Sequence, residues 1–389
     1  MNILYLSHCA PDLPDKGEKI RAHHFLKRFA QRHRVHLACF CKDLEETKRT
    51  HALDWGLASV HTEVLNPRPA LARAAVQFAL GQSLTVGYFR NSLLARYLAA
   101  APWRDEIDST LVYSAAMASY AAIGKPLILD LCDLDSEKWF EYDRLRRLPF
   151  LYGLEGKRLR RFERSACERA QATILMTENE ASLVREAIPG ARIEIIANGV
   201  DFDYWQPAAA ASGPPSIAFV GQLDYFPNSD GAGWFAREVF PGMRAGWPDL
   251  EFVIAGRNPG RQVNELASLP GVRVIASPAD VRPILASATA VVAPLRLARG
   301  LQNKVLEALA MGKRVLTTPQ VARTFGGALP HGVEVCEGSE QWLAACRASA
   351  ASPEQRAGIR DGLRQNYSWD TAADRLSSLL EKAKSGASM

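Results

Sequence analysis

Short runs of continuous apolar residues, separated by longer amphipathic stretches, recur along the whole chain, and that alternation leaves few architectures open. In the first half, Ile3–Ser7, Arg34–Cys41, Val60–Leu65, Thr110–Tyr113, Leu127–Leu131, Ala172–Thr177 and Arg192–Ile196 read as strands. The second half repeats the scheme with Ile217–Val220, Glu251–Ala255, Val272–Ala276, Ala290–Pro294, Arg314–Thr317 and Val333–Cys336. Helical periodicity is predicted between them, over Glu18–Gln31, Ser136–Arg147 and Gly153–Arg169 among others. A strand that is apolar on both faces must be covered on both faces. The expected fold class is therefore α/β, with two facing Rossmann-like, doubly wound parallel-sheet domains.

The division between the domains is legible. Residues 206–215 read QPAAAASGPP, which is small, turn-rich and aperiodic, the composition of a linker. The expected domains are residues 1–205 and 216–368, joined by that linker. A last amphipathic segment, 369–389, carries Ala372, Leu376, Leu379 and Leu380 on one face and is free to pack back on the first domain. Open parallel sheets bind ligands outside the carboxyl ends of their strands, so a cleft between two such ends is the expected site.

Composition removes several classes of function. Of 389 residues, 48% are hydrophobic and 23% charged, which are globular proportions and exclude a disordered chain. A net charge of +5 is too mild for a dedicated nucleic-acid binder, and no nucleic-acid partner is expected. The seven cysteines are irregularly spaced with no C-x-x-C pair, which argues against structural zinc and suits a reducing cytoplasm. The opening MNILYLSHCAPDLPDK lacks a basic leader and reads as a first strand. The longest apolar stretch, Ala70–Phe89, is interrupted by Arg73, Gln77 and Gln82, so no membrane span is expected.

Chemistry concentrates in Val291–Val315, VVAPLRLARGLQNKVLEALAMGKRV. A buried strand feeds a polar turn, and a helix is predicted to start near Leu301 or Gln302. The N–H groups around Gly300, Leu301, Gln302 and Asn303, with the helix dipole behind them, favour a phosphate. Arg296, Arg299 and Lys304 add positive charge, and Glu307, about one turn on, is suited to accept hydrogen bonds from vicinal hydroxyls. On spacing alone, an ordinary helix with a Lys304–Glu307 surface pair fits equally well.

This segment resembles the donor-binding helix of retaining glycosyltransferases of family 4, which have the GT-B fold. Glu307 followed by AlaLeuAlaMetGlyLysArgVal matches the second half of that family's acidic motif. The form RGLQNKVLEALAMG resembles the sugar transferases of the PEP-CTERM/exosortase exopolysaccharide system. So do ILYLSHCAPDLPDKGEKIRAHHFL near the start, DLCDLDSEKW at 130–139, NGVD at 198–201 and GQLDYFPNSDG at 221–231. Two departures stand out. The family's first acidic position is Arg299 here, and Gly221–Gly231 has Gln222 where Arg is usual and no Lys. The resemblance implies that Arg299 and Lys304, with Arg257 as a third candidate, neutralise the departing diphosphate, with Gly221 beside the donor. It also implies that Gly17, in the loop Pro11–Lys19, approaches the donor, that Lys19 or Arg21 supplies charge there, and that Ser114 stands where the family often has a His. Read without the resemblance, that loop is a simple turn. Asp130 is expected to face the acceptor, while Asp133 or Asp135 caps the following helix, with no metal and no cofactor beyond the donor substrate.

Residues 144–169 carry nine basic and three acidic side chains among Leu and Phe, which reads either as a surface for anionic lipid or as a solvated helix with snorkelling arginines. What the resemblance implies is transfer of a sugar, with retention of configuration, from a nucleoside-diphosphate sugar held by residues 216–368 to a lipid-linked or polysaccharide acceptor offered by residues 1–205, in exopolysaccharide biosynthesis at the cytoplasmic face of the plasma membrane. A sugar-nucleotide epimerase and a non-catalytic nucleotide-sugar or membrane-binding scaffold are the alternatives.

Overall fold

The computed structural model describes residues 1–122, 124–145, 149–208, 213–298, 300–349 and 352–386. The chain forms two compact units. Unit 1 comprises Met1–Met176, Glu180–Ile196 and Ala372–Met389; unit 2 comprises Thr177–Asn179 and Ala197–Thr371. Residues 197–205, assigned from sequence to the first domain, belong to unit 2. Val200 and Phe202 are buried in its core, and the Val200 N–H donates to the Tyr367 carbonyl at 2.9 Å. The terminal segment from Ala372 belongs to unit 1, where Lys384 pairs with Asp108 at 3.2 Å.

Every expected apolar run forms a strand, with ends shifted by no more than two residues. Unit 1 contains β1 (Asn2–Ser7), β2 (Arg34–Cys41), β3 (Ser59–Val64), β4 (Ser109–Tyr113), β5 (Leu127–Cys132), β6 (Ala172–Leu175) and β7 (Ile193–Ile195). They form one sheet in the order β3-β2-β1-β4-β5-β6-β7, with every neighbouring pair parallel. Unit 2 contains β8 (Ser216–Val220), β9 (Glu251–Gly256), β10 (Val272–Ala276), β11 (Ala290–Ala293), β12 (Val315–Thr317) and β13 (Val333–Val335). Their order is β10-β9-β8-β11-β12-β13, again all parallel. Both are doubly wound sheets. Each reverses its strand order once, between β1 and β4 in unit 1 and between β8 and β11 in unit 2. Such a reversal leaves a crevice at the carboxyl ends of the two strands that flank it.

The helices are placed by buried polar contacts as much as by apolar ones. The helix Pro149–Arg169 is the longest in unit 1. Its Glu155 carboxylate is buried and accepts from the Ser83 hydroxyl (2.7 Å), the Leu84 N–H (2.6 Å), and the Thr85 N–H and hydroxyl (3.0 and 2.9 Å). One carboxylate thus caps the helix Leu84–Phe89 from a distant part of the chain, and its negative charge sits against the positive end of that helix dipole. Glu163 does the same for the helix Asp135–Leu145, accepting from the Ser136 N–H at 3.1 Å, and Glu180 accepts from the Leu134 N–H at 3.1 Å. Asp133 and Asp135, the expected caps, hold Lys138 Nζ, each at 2.9 Å. Glu155→Ala is expected to cost about 2–4 kcal/mol, because it strands several donors at once. Urea unfolding monitored by circular dichroism measures that loss.

Candidate functional site

In unit 2 the crevice lies where β8 and β11 end. β8 runs into Gly221, whose N–H donates to the Ala255 carbonyl at 3.1 Å. β9 ends at Gly256, which has φ of +158°, and a Cβ there would stand 1.7 Å from the Gly221 carbonyl oxygen. Only glycine fits at that crossing, where the two backbones pass in direct contact. A Cβ at Gly221 would meet the Asn228 amide nitrogen at 3.0 Å and Lys304 Nζ at 3.1 Å.

Lys304 stands on the first turn of the helix Asn303–Ala310, which begins later than the expected Leu301 or Gln302. Its Nζ donates to Asn228 Oδ1 and lies 4.6 Å from the centroid of the Phe219 ring. Asn228 is fixed in turn by its amide group, which donates to the Gln222 carbonyl at 2.8 Å. Both partners of this ammonium are neutral. Burial pushes its pKa down to about 7, while the charge of Glu307 pulls it up. Burial likewise pushes Glu307 up to about 7, against the pull of Lys304. The Glu307 carboxylate accepts no hydrogen bond among the described residues. A lysine without a carboxylate bonded to it and a carboxylate without a donor, three residues apart on one helix, are ready for a ligand that carries negative charge and hydroxyl groups.

The neighbouring residues complete this end of unit 2. Gly300 takes a φ of +60°, and the Gln302 amide donates to its carbonyl at 3.3 Å. Leu301 is buried, and Gln302 precedes the helix without capping it by its side chain. Asn303 Oδ1 accepts from the Asn198 amide at 3.1 Å, so the NGVD stretch reaches the head of this helix. Arg257 follows β9 and is exposed, and its carbonyl accepts from the Leu223 N–H at 2.8 Å. Arg299 lies outside the described residues. Arg296 corrects the expectation of an open cationic rim, because its guanidinium is bound by both oxygens of Asp230, one of them at 3.0 Å.

In unit 1 the corresponding crevice is at the ends of β1 and β4, where Ser7 and Tyr113 are paired in register. The next residues are His8 and Ser114. Ser114 has φ of +77°, a left-handed conformation that costs a non-glycine residue about 1 kcal/mol or more. Its N–H is held by the Asp130 carbonyl at 2.9 Å. His8 packs its ring against Tyr113 (centroids 4.8 Å apart) and Phe89 (5.9 Å), and its Nδ1 is buried with no hydrogen-bond partner. Burial lowers its pKa, which keeps the imidazole neutral near pH 7. Sequence reasoning looked for a His after β4 and found Ser114. The adjacent parallel strand β1 is followed by His8, a proximity visible only once β1 and β4 are known to be neighbours.

Three expectations in unit 1 are corrected. Lys19 is buried, and its Nζ is held by Asp12 at 2.6 Å and by Glu46. Arg21 is buried against Asp130 at 2.7 Å and also donates to the Ile196 carbonyl at 3.0 Å. These charges are matched inside the unit, so neither Lys19 nor Arg21 is a free cation and Asp130 is not a free carboxylate. Gly17 opens the helix Gly17–Ala30 in an exposed position, where a Cβ would meet no protein atom within 4 Å.

The basic stretch 144–169 is also engaged within the unit. Arg158 donates to the Phe78 and Gln82 carbonyls, Arg160 to Ser136 (2.8 Å) and Glu137, Arg164 to the Ala187 carbonyl (2.9 Å), and Arg169 to the Ala118 carbonyl (3.0 Å). On the helix Pro149–Arg169, Lys157 and Arg161 are the cations with no such partner among the described residues. Arg146 and Arg147 lie outside those residues.

Comparison with known proteins agrees with this geometry. Residues 214–349 match the family described as glycosyl transferases group 1. The whole chain superposes on sucrose-phosphate synthase from Thermosynechococcus elongatus with a TM-score of 0.70 at 13% identity, covering 100% of both chains. HepE of Anabaena in complex with UDP matches with a TM-score of 0.65 at 14% identity, over 98% of this chain and 100% of that one. The trehalose-6-phosphate synthase OtsA matches with a TM-score of 0.66 at 12% identity, over 98% and 99%. HepE is also known in complex with UDP-glucose. No curated protein sequence matches the chain. The fold is that of the GT-B glycosyltransferases.

Asp130→Asn is expected to lower stability by about 3–5 kcal/mol, since it leaves the Arg21 guanidinium buried beside a neutral group. Equilibrium denaturation measures it, and nucleotide-sugar affinity of the folded fraction is expected to stay within about twofold of wild type.

Proposed function

We propose that this chain, with its glycosyl transferases group 1 match over residues 214–349, moves a sugar from a nucleoside-diphosphate sugar to a lipid-linked or polysaccharide acceptor. The observation that carries this reading is the helix Asn303–Ala310, where a half-buried Lys304 bonds an amide oxygen and no carboxylate, and a half-buried Glu307 accepts no hydrogen bond, among the described residues.

Unit 2 takes the donor. Lys304, together with Arg299, meets the diphosphate, and the N–H groups at the head of the helix add their partial charges. Glu307 accepts from the ribose hydroxyls. Gly221 lies beside the donor, and its missing Cβ leaves room for Asn228 and Lys304. As the glycosidic bond to phosphate breaks, positive charge develops on the sugar and negative charge on the leaving diphosphate. A fixed ammonium of low solvation stabilises that leaving group more than water does, and it needs no reorganisation at the moment of reaction. No metal has a role in this scheme, and no cofactor besides the donor. In unit 1, His8 and Ser114 offer a neutral imidazole and a hydroxyl to sugar or acceptor hydroxyls. Retention of configuration, membership of family 4 and a role in exopolysaccharide synthesis at the cytoplasmic membrane face follow from the resemblance stated above.

The test has two parts. A thermal-shift series with UDP-, GDP- and ADP-sugars is expected to show stabilisation by one base, reduced but still measurable in Lys304→Met and in Glu307→Gln. Release of nucleoside diphosphate is expected to rise when lipid extract is added. Turnover of donor without release of diphosphate marks an epimerase, and binding without turnover marks a scaffold; either result overturns the transferase reading.

The two pKa shifts set the pH dependence. Lys304 is cationic below about 7 and loses its charge above it, so anion binding weakens as pH rises. Glu307 is a carboxylate above about 7 and a weaker acceptor below it, so hydroxyl binding weakens as pH falls. The affinity for UDP-glucose, whose diphosphate diester keeps its charge throughout, is expected to peak near neutral pH. Each limb falls by up to about tenfold per pH unit. Calorimetry is expected to show the alkaline limb vanish in Lys304→Met and the acid limb in Glu307→Gln.

His8→Ala is expected to lower kcat by about 10- to 100-fold with the KM for donor little changed, provided unfolding curves stay superimposable.

A further inference from the structure

The helix Pro67–Ala79 is anchored to unit 1 by one face only. Ala70 and Ala74 are buried, and the helix Leu84–Phe89 crosses so closely that a Cβ on Gly87 would stand 3.1 Å from the Ala74 Cα. The opposite face presents Arg68, Leu71, Ala72, Ala75, Val76 and Ala79. Leu71 is 61% exposed and Val76 58%, and Leu80, just past the last turn, is 70% exposed. A helix face turned to water ordinarily carries charged residues. Here Arg68 alone is charged.

The charge around this face has one sign. From Val64 to Arg104 the sequence has 41 residues with five arginines (68, 73, 90, 96 and 104), no lysine, and neither Asp nor Glu. That local +5 equals the net charge of the whole chain. Arg73 donates to the Tyr88 carbonyl at 3.2 Å and Arg90 to Gln77 at 2.9 Å, while Arg68 and Arg96 are exposed with no partner among the described residues.

We propose that the outer face of the helix Pro67–Ala79 docks on an anionic lipid surface. Leu71, Val76 and Leu80 enter the headgroup boundary and Arg68 meets lipid phosphates. Two features favour a bilayer over a protein partner. The face has no aromatic side chain and three alanines, so it lacks the large anchors on which protein interfaces depend. The surrounding segment, with no acid to repel an anionic leaflet, has a charge that complements it over its whole length. No helix among the described residues is long and apolar enough to cross a membrane, so the contact is a surface one. The proposal deepens the reading of a lipid-linked acceptor, but it concerns lipid binding alone and is tested without donor or turnover, so the two can fail separately. It also moves the lipid surface from residues 144–169, where Arg158, Arg160, Arg164 and Arg169 are engaged within unit 1, to the helix Pro67–Ala79.

The test is co-sedimentation of the full chain with vesicles of phosphatidylcholine alone or mixed with phosphatidylglycerol. The wild type is expected to bind the mixed vesicles, weakly or not at all the neutral ones, and less well as salt rises. The triple variant Leu71→Gln/Val76→Gln/Leu80→Gln is expected to lose at least about tenfold in partitioning. Arg68→Glu is expected to weaken binding, and Lys157→Glu/Arg161→Glu to leave it within about twofold. All these side chains are exposed, so thermal melts are expected to be unchanged, and the triple variant is expected to retain UDP-glucose binding. Equal binding by the triple variant and wild type overturns the proposal. So does failure of the wild type to bind either vesicle, loss of binding in Lys157→Glu/Arg161→Glu alone, or a wild-type dimer in size-exclusion chromatography that the triple variant dissociates.

Discussion

The single reversal of strand order in each parallel sheet is the constraint on which everything else rests. Parallel strands need crossover connections, and right-handed crossovers that run in opposite directions from a central strand place their helices on opposite faces. Where the direction changes, the carboxyl ends of two adjacent strands are left uncovered. In unit 2 these are β8 and β11, and the residues that follow them include Gly221 and the helix bearing Lys304 and Glu307. In unit 1 they are β1 and β4, followed by His8 and Ser114. The same topological device leaves a polar opening in each unit, with quite different side chains around it.

Charge pairing separates the structural ions from those free to meet a ligand. Buried Lys19, Arg21 and part-buried Lys138 each have at least one carboxylate within hydrogen-bond distance. Breaking such a pair is costly, and these ions hold the helices that follow β1 and β5. Lys304 has an amide oxygen and an aromatic face in place of a carboxylate, and burial moves its titration close to neutrality. An ammonium in that state gains more from an arriving diphosphate than a paired one would, because no internal anion has to be displaced. The same holds for Glu307 with respect to hydroxyl donors.

The basic helix Pro149–Arg169 illustrates where counting charges misleads. Its sequence has the composition of a lipid-binding segment, yet Arg158, Arg160, Arg164 and Arg169 reach carbonyls and carboxylates of the elements it packs against, while Glu155 and Glu163 cap other helices. Long arginine side chains bind backbone carbonyls as readily as phosphates when a helix terminus or turn lies within reach. By contrast, the helix Pro67–Ala79 attracted notice in the sequence only as an interrupted apolar stretch. Its exposed leucines and valine became visible once its buried face was known to be the one carrying Ala70 and Ala74.

Composition and periodicity alone determined the strands, their parallel arrangement and the existence of two domains, because a buried strand has to be apolar whatever its partners. They also located the helix of Lys304 and Glu307, since a strand, a glycine turn and an amphipathic helix are all local patterns. Tertiary structure decided what was not local. It gave residues 197–205 to unit 2, matched Lys19, Arg21, Asp130 and Arg296 with internal partners, brought Asn228 and Asn198 to the head of the helix Asn303–Ala310, and set His8 beside Ser114. The reason is that a side chain's charge and hydrogen-bonding capacity are fixed by its chemistry, whereas whether that capacity is already satisfied depends on residues tens to hundreds of positions away.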